Sequence, residues 1–395
     1  MRAGEVRAAE VTEVFVRAIE GAADLHAVVT PCPERALQQA RRATAGPLCG
    51  VPLLVKDMFD TRGLRTTYGS RIFATYVPTR TAEAVTRLEA AGAILVGKAN
   101  QHEFAWGVTS QNPHWGDVVN PLRPGRVAGG SSGGNAAGLA AGLAVLALGT
   151  DTGGSGRIPS ACCATVGFKP SLGKLSLAGT FPLAPSFDTV SPMARTVADC
   201  ALMYSVLSGD PVPEPRIAGL RIGVLAPCPQ ADQLAALGAE LEVVELPTSE
   251  VELMPLFAAE CVLTHRGLYP ERAAEYSPDL QVKLEAAQGV RAVDYLAARV
   301  ALQRWRRRLR TVPGVDLIVS PTLGIEVPAA DCWEPDVRAG MCQYTRPFNF
   351  LGWPAIAIDN LQLAGRDDQT VLAAALAWEQ PFGPPDGGIG SARPR

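Results

Sequence analysis

Short apolar runs that end in charge or glycine alternate with amphipathic stretches along this chain. Val6, Val11, Val14, Phe15 and Ile19 recur at roughly helical spacing, and 34–42 reads as a short solvated helix, so the first 45 residues are expected to be helical. Gly50-Val-Pro-Leu-Leu-Val-Lys56-Asp57 has the pattern of a buried strand with an exposed tip. Ile94–Lys98 predicts a second such strand, and 81–91 predicts a helix between them, with Thr81 as its N-cap. Further strands are expected at 144–148, 221–225, 241–244, 316–320 and 354–358, and helices at 135–142, 197–207 and 231–237. A long helical tract over 250–309 is interrupted by Pro255, Pro270 and Pro278. This alternation predicts an α/β class fold. The proline-rich bridge at 211–215 is the one candidate boundary, but strands continue beyond it. The expectation is therefore one domain over 1–395, with N-terminal helices at 1–45 and a helical excursion at about 250–310.

Composition narrows the class of function. In 395 residues, 47% are hydrophobic and 19% charged, which fits a globular protein and excludes a disordered chain. A net charge of −3 argues against nucleic acid or an anionic membrane as partner. The N-terminus, MRAGEVRAAEVTEVF, lacks a signal-peptide core, and the small-and-apolar stretch 136–148 is too short to span a bilayer. A cytoplasmic location is the expectation. The nine cysteines are scattered without a CxxC pair or zinc-finger spacing, so they read as buried or incidental thiols and no metal is expected. Lysine and histidine are scarce, at five and four residues, so a role that needs either has few candidates.

The informative segment is Gly129-Gly-Ser131-Ser132-Gly-Gly134 followed by Gly149-Thr-Asp151-Thr152-Gly153-Gly154-Ser155-Gly156-Arg157-Ile-Pro159. A phosphate cradle is one reading, yet the nearest P-loop match, Gly92 to Ala99, lacks the magnesium-binding Ser/Thr and runs through an apolar strand. An α/β-hydrolase elbow is another, since Gly130 to Gly134 satisfies G-x-S-x-G. That elbow needs a downstream histidine, and His265 sits in a helical tract among Leu263 and Leu268. Ser171-Leu-Gly-Lys174 matches S-x-x-K without its companion motifs. A serine nucleophile without a histidine needs another base, and a lysine serves once burial lowers its pKa toward ~7–8. Lys56, at the end of an apolar run, has the setting for it. The Thr152–Ser155 amides could face a developing oxyanion, with Ser155 as nucleophile.

These segments together resemble the amidase signature family. The likeness runs from about 48 to 208, through Val166-Gly-Phe-Lys-Pro170 and Asp188-Thr-Val-Ser-Pro192, and resumes in Pro347-Phe-Asn349-Phe-Leu-Gly352-Trp-Pro354. It implies a three-layer α/β/α domain around a large mixed sheet. It also implies a Ser-Ser-Lys triad of Ser155, Ser131 and Lys56, with a cis peptide at Gly130–Ser131. The oxyanion hole would be the backbone N–H groups of Thr152, Gly153, Gly154 and Ser155. Ser132 would cap the following helix or bond Lys56, and Asp151 and Arg157 would brace the nucleophile loop. Phe104, Trp106 and Gly156 are candidates for the substrate pocket, while His102 reads as a polar loop residue. Two departures matter. Gly156 stands where many members carry a bulky aliphatic residue, which with Lys169-Pro-Ser-Leu-Gly173 is similar to allophanate hydrolases, and the region 210–310 is short. The implied activity is hydrolysis of a small amide through an acyl-enzyme, without a cofactor, and a homodimer is left open. The alternatives are a small ureido-acid hydrolase, a glutamine amidotransferase A-type subunit with a partner chain, and a silent binding relative.

Overall fold

A computed structural model of the chain describes residues 6–43, 45–310 and 314–382. Its strands are β1 (Val28–Pro31), β2 (Pro52–Lys56), β3 (Ile94–Ala99), β4 (Leu146–Thr150), β5 (Val166–Lys169), β6 (Val190–Ala194), β7 (Arg221–Val224), β8 (Glu240–Val243), β9 (Leu317–Pro321), β10 (Ala355–Ile358) and β11 (Leu361–Gly365). They form one mixed sheet in the order β1-β3-β2-β4-β6-β5-β10-β11-β9-β7-β8. Strands β3, β2 and β4 run parallel at one end, and β8, β7 and β9 at the other, with antiparallel pairs between. Because β7 and β8 join through β9 and β11, the sheet continues past the 211–215 bridge.

The principal helices are α1 (Ala8–Gly21), α2 (Pro33–Arg42), α3 (Glu83–Ala90), α4 (Gly133–Ala140), α5 (Arg157–Cys162), α6 (Val197–Ser208), α7 (Ala231–Ala236), α8 (Met254–His265), α9 (Pro278–Gln288), α10 (Ala292–Arg308), α11 (Glu334–Cys342), α12 (Arg346–Leu351) and α13 (Asp368–Phe382). They cover both faces of the sheet. Leu53 and Val55 of β2 pack with α3, α6 and α13, while Leu54 packs with α2, α4 and α5 on the opposite face. Strands covered on both sides carry unbroken apolar runs in place of alternation, which is why β2 and β3 are legible as continuous hydrophobic stretches. Helices α8, α9 and α10 pack over Ile318 of β9 with Phe104, Trp106 and Phe348, so the helical excursion is laid on the sheet.

Three expectations are corrected. The first 45 residues are not helical throughout: residues 1–5 and 44 lie outside the described ones, and Val28–Pro31 forms edge strand β1, antiparallel to β3. Its β-branched Val28-Val29-Thr30 favours the extended backbone over the helix period around it. Helix α3 begins at Glu83 after Ala82, and the Thr81 hydroxyl accepts the Arg62 N–H at 3.1 Å instead of capping. Strand β4 lies two residues further on than 144–148, where all five of its residues find partners in β6.

The turn leaving β2 is clamped by an ion pair with no solvent exposure, Lys98 Nζ 3.0 Å from Asp57 Oδ1. Lys98 also donates to the Phe59 carbonyl and Thr66 Oγ1, both at 2.8 Å, and Asp57 Oδ2 accepts from the Thr67 N–H and hydroxyl. Removing one partner of such a pair strands a buried charge. Lys98→Met should cost about 3–5 kcal/mol in chemical denaturation. A loss under about 1 kcal/mol would contradict a structural role for the pair.

Candidate active site

The carboxyl ends of parallel β2 and β4 lie side by side, the edge of an α/β sheet where ligands characteristically bind. Lys56 closes β2 and is fully buried. Its Nζ lies 2.8 Å from Ser131 Oγ and 2.7 Å from Thr150 Oγ1 at the end of β4. Burial pushes its pKa down to about 7, against the pull of Asp151 and Asp188, neither of which forms an ion pair with it. Ser131 follows a cis Gly130–Ser131 peptide and is held by its own carbonyl, which accepts from the His102 N–H at 3.1 Å and the Ser110 hydroxyl at 3.2 Å.

Ser155 sits in the turn between β4 and α5. The Ser132 N–H donates to the Ser155 carbonyl at 3.1 Å, which ties the serine pair to this turn. The Ser155 hydroxyl has no hydrogen-bond partner among the described residues and faces a small cavity of about 30 Å³. Ser132 takes neither of its two expected roles, since its hydroxyl donates to the Thr150 carbonyl at 3.2 Å and makes no helix cap.

Asp151 and Arg157 meet at this turn in an ion pair with no solvent exposure. The buried Arg157 fork meets Asp151 through Nε and Nη2, both at 2.9 Å. Two further donors reach Gln362 Oε1 and Asn349 Oδ1, each at 2.7 Å. Asn349 Nδ2 returns to Asp151 Oδ1 at 2.7 Å. Burial alone would raise the Asp151 carboxyl, but the Arg157 guanidinium holds it well below the usual carboxylate range. The same carboxylate also accepts the Gly154 N–H at 2.9 Å. Gly154 therefore drops out of the expected oxyanion set, because its N–H is already spent. The N–H groups of Thr152, Gly153 and Ser155 have no acceptor among the described residues. Gly154 has φ +126°, and a Cβ there would lie 2.3 Å from Thr345 Oγ1, whose hydroxyl donates to the Gly153 carbonyl at 2.8 Å. Only glycine fits that position.

The three pocket candidates part company. Trp106 lines the Ser155 cavity with Leu183, Phe257, Arg338 and Arg346. Phe104 stands behind the wall, its ring 5.2 Å from Phe181, which lines a second cavity of about 160 Å³ with Met58, Thr150, Thr152 and Asp188. Gly156 faces away from the Ser155 cavity, toward Ser191 of β6. Burial raises the Asp188 carboxyl, which accepts from Thr152 Oγ1 at 2.7 Å and from the Leu183 and Ala184 N–H groups. His102 is structural: its Nε2 lies 2.8 Å from Asp279 in a buried ion network with Lys283, Glu334 and Arg338. Lys283 and Arg338 both donate to the Trp106 carbonyl, which fixes the loop beside Ser155. Thr150, Asn349 and Gln362 went unassigned in the sequence. Asn349 and Gln362 lie about two hundred residues from their partner Arg157, and no local pattern announces such a contact.

Known proteins share this arrangement of chain. The model of the family described as Amidase matches residues 10–216. An amidase of Pseudomonas putida is 36% identical over 96% of this chain and 94% of its own. One component of the glutamyl-tRNA(Gln) amidotransferase of Roseiflexus sp. (strain RS-1) is 32% identical, covering 95% of this chain and 93% of that protein. A crystal structure of an amidase superposes with a TM-score of 0.87 at 31% identity, over 96% of this chain and 97% of that one.

A Cβ on Gly156 would lie 2.0 Å from Ser191 Oγ and 2.8 Å from Ser191 Cβ, and that hydroxyl holds the Phe168 carbonyl at 2.8 Å. Gly156→Ala should therefore cost about 1–3 kcal/mol in thermal unfolding, with lowered turnover as the Ser155 turn is displaced. Unchanged stability would show that the β4–α5 turn has slack.

Proposed function

Because this chain belongs to the amidase family and is a hydrolase of amide C–N bonds, we propose that it works through a covalent acyl-enzyme on Ser155, with neutral Lys56 as base and Ser131 as relay. The observation that carries this reading is the Lys56 amine, fully buried, without a carboxylate in contact, and 2.8 Å from Ser131 Oγ. A neutral amine has two N–H groups and one lone pair. One N–H rests on Thr150 Oγ1, and the lone pair is then available to the Ser131 hydroxyl.

In the proposed cycle Ser155 Oγ attacks the amide carbonyl while its proton passes to Ser131 and the Ser131 proton to Lys56. The oxyanion is received by the N–H groups of Thr152, Gly153 and Ser155. The C–N bond breaks as the proton returns by the same path to the leaving nitrogen, which departs as ammonia or an amine. Water then hydrolyses the ester and restores Ser155. The Ser131 and Ser155 hydroxyls are not hydrogen-bonded to each other here, and this link would form as substrate fills the cavity. An amidotransferase component would share this chemistry but depend on a partner chain. Gly156 is accounted for by Ser191 and so lends no support to a ureido-acid substrate. No helix among the described residues is long and apolar enough to cross a membrane. We propose a small-molecule amide as substrate and a cytoplasmic location.

The purified chain should release ammonia from simple amides without tRNA, ATP or a partner; a strict need for any of these favours the amidotransferase reading. A fluorophosphonate probe should label Ser155 alone, and Ser155→Ala should abolish labelling. Ser131→Ala should slow it without abolishing it, and Ser132→Ala should cost only about 1–3 kcal/mol. An adduct on Ser132 would overturn the assignment.

The pH dependence follows from Lys56. Its amine is the active form, so kcat/KM should rise with pH along a one-proton limb with a midpoint near 7. Lys56→Met should be about 10²–10⁴-fold slower. Lys169 is also pushed down to about 7, by burial and then by Arg157, but among the described residues it donates only to the Pro170 carbonyl. Lys169→Met should keep the acidic limb, and loss of the limb in that variant would assign it to Lys169 instead.

A further inference from the structure

The cavity at Ser155 contains an unpaired cation. Arg346, the first residue of α12, lines it and is a half-buried residue, with no hydrogen-bond or ion-pair partner among the described residues. Arg338, the second arginine on the wall, differs. It bonds Glu334 at 3.0 Å and the Trp106 carbonyl at 3.1 Å, so its donors are engaged in the fold. No acidic side chain is among the residues lining this cavity. A guanidinium without a protein partner beside a cavity that holds no acid is a site for an anion, and its planar fork matches a carboxylate bidentately.

Arg346 is also held in register with the reacting atoms. It follows Thr345, whose hydroxyl is anchored to the Gly153 carbonyl in the Ser155 turn. Arg346 and Cys342 are shared between the small cavity and a wider groove of about 680 Å³, lined on its outer side by Glu250, Glu252 and Trp305. The two glutamates are exposed, and Glu252 accepts the Met254 N–H at 3.0 Å. Solvent screens them, and neither forms an ion pair with Arg346 among the described residues.

We propose that Arg346 binds a carboxylate carried by the substrate, so that the enzyme's preferred substrates are short acid monoamides, with the amide carbonyl at Ser155 and the anionic end at Arg346. This inference rests on the acyl-enzyme reading at Ser155. Hydrolysis then consumes one water and releases a dicarboxylate and ammonia.

Succinamate and butanamide present the same reacting amide on a four-carbon chain, with and without a terminal carboxylate. The wild-type enzyme should show kcat/KM at least about tenfold higher for succinamate. Arg346→Gln should remove at least about tenfold of that preference, chiefly through KM, and Arg346→Lys should retain part of it because the charge remains without the fork. Succinate should also slow fluorophosphonate labelling of Ser155 in the wild type, a readout that needs no variant to fold. A preference below tenfold, a preference that survives Arg346→Gln, or labelling indifferent to succinate would each overturn the inference. Labelling of Ser155 together with any of those results leaves the acyl-enzyme reading standing, whereas absence of labelling removes both.

Discussion

An amine sealed into a protein interior without a carboxylate beside it is the constraint around which this structure is arranged. Lys56 ends a strand whose preceding residues are buried on both faces, so its side chain emerges into packed protein and not into water. Desolvation disfavours the ammonium, and the two acids whose charges act on it are occupied elsewhere: Asp151 by Arg157 and Asn349, Asp188 by Thr152 and the 183–184 amides. Neighbouring β2 is Lys98, equally buried but paired with Asp57. The contrast separates two uses of one residue type. A lysine with a carboxylate in contact clamps a turn, and one with only hydroxyls in contact can exchange a proton.

The Ser155 turn depends on distant parts of the chain in an equally physical way. Asp151 orders the backbone by accepting from the Gly154, Gly156 and Arg157 N–H groups. The carboxylate is held there by Arg157 and Asn349, which bond it and each other, while Gln362 takes a further Arg157 donor. Asn349 comes from α12 and Gln362 from β11, so the C-terminal part of the sheet is needed to shape a turn that follows β4. On the far side, the buried network of His102, Asp279, Lys283, Glu334 and Arg338 fixes the loop carrying Trp106. The helical excursion thereby forms one wall of the cavity, although it supplies none of the proposed reacting groups.

Much of this was legible in the amino-acid sequence where the signal was local. The apolar runs at 52–56, 94–98 and 316–320 are strands because both their faces are covered, and scarcity of histidine directs attention to lysine as the base. The grouping of Lys56, Ser131 and Ser155 came from the family resemblance; in the fold Lys56 Nζ lies 2.8 Å from Ser131 Oγ, and the Ser132 N–H bonds the Ser155 carbonyl. What escaped was non-local. Edge strand β1 sits between two helices with no flanking glycine to mark it. The loss of the Gly154 N–H to Asp151 is a matter of which way an amide points, and the contact between Gly156 and Ser191 joins residues 35 apart. Arg346 carries no local signal in the sequence, and its standing without a hydrogen-bond or ion-pair partner among the described residues is a property of the fold.

The protonation state of Lys56 tests the account most directly. With only five lysines, a chain labelled with carbon-13 at the lysine ε position yields few resonances, and the Lys56 signal is the one lost in Lys56→Met. Titration of that signal with a midpoint near 7 is the predicted result. A midpoint near the ordinary lysine value of about 10.4 would mean that Lys56 is a cation at neutral pH, and the proposed proton path would have no acceptor.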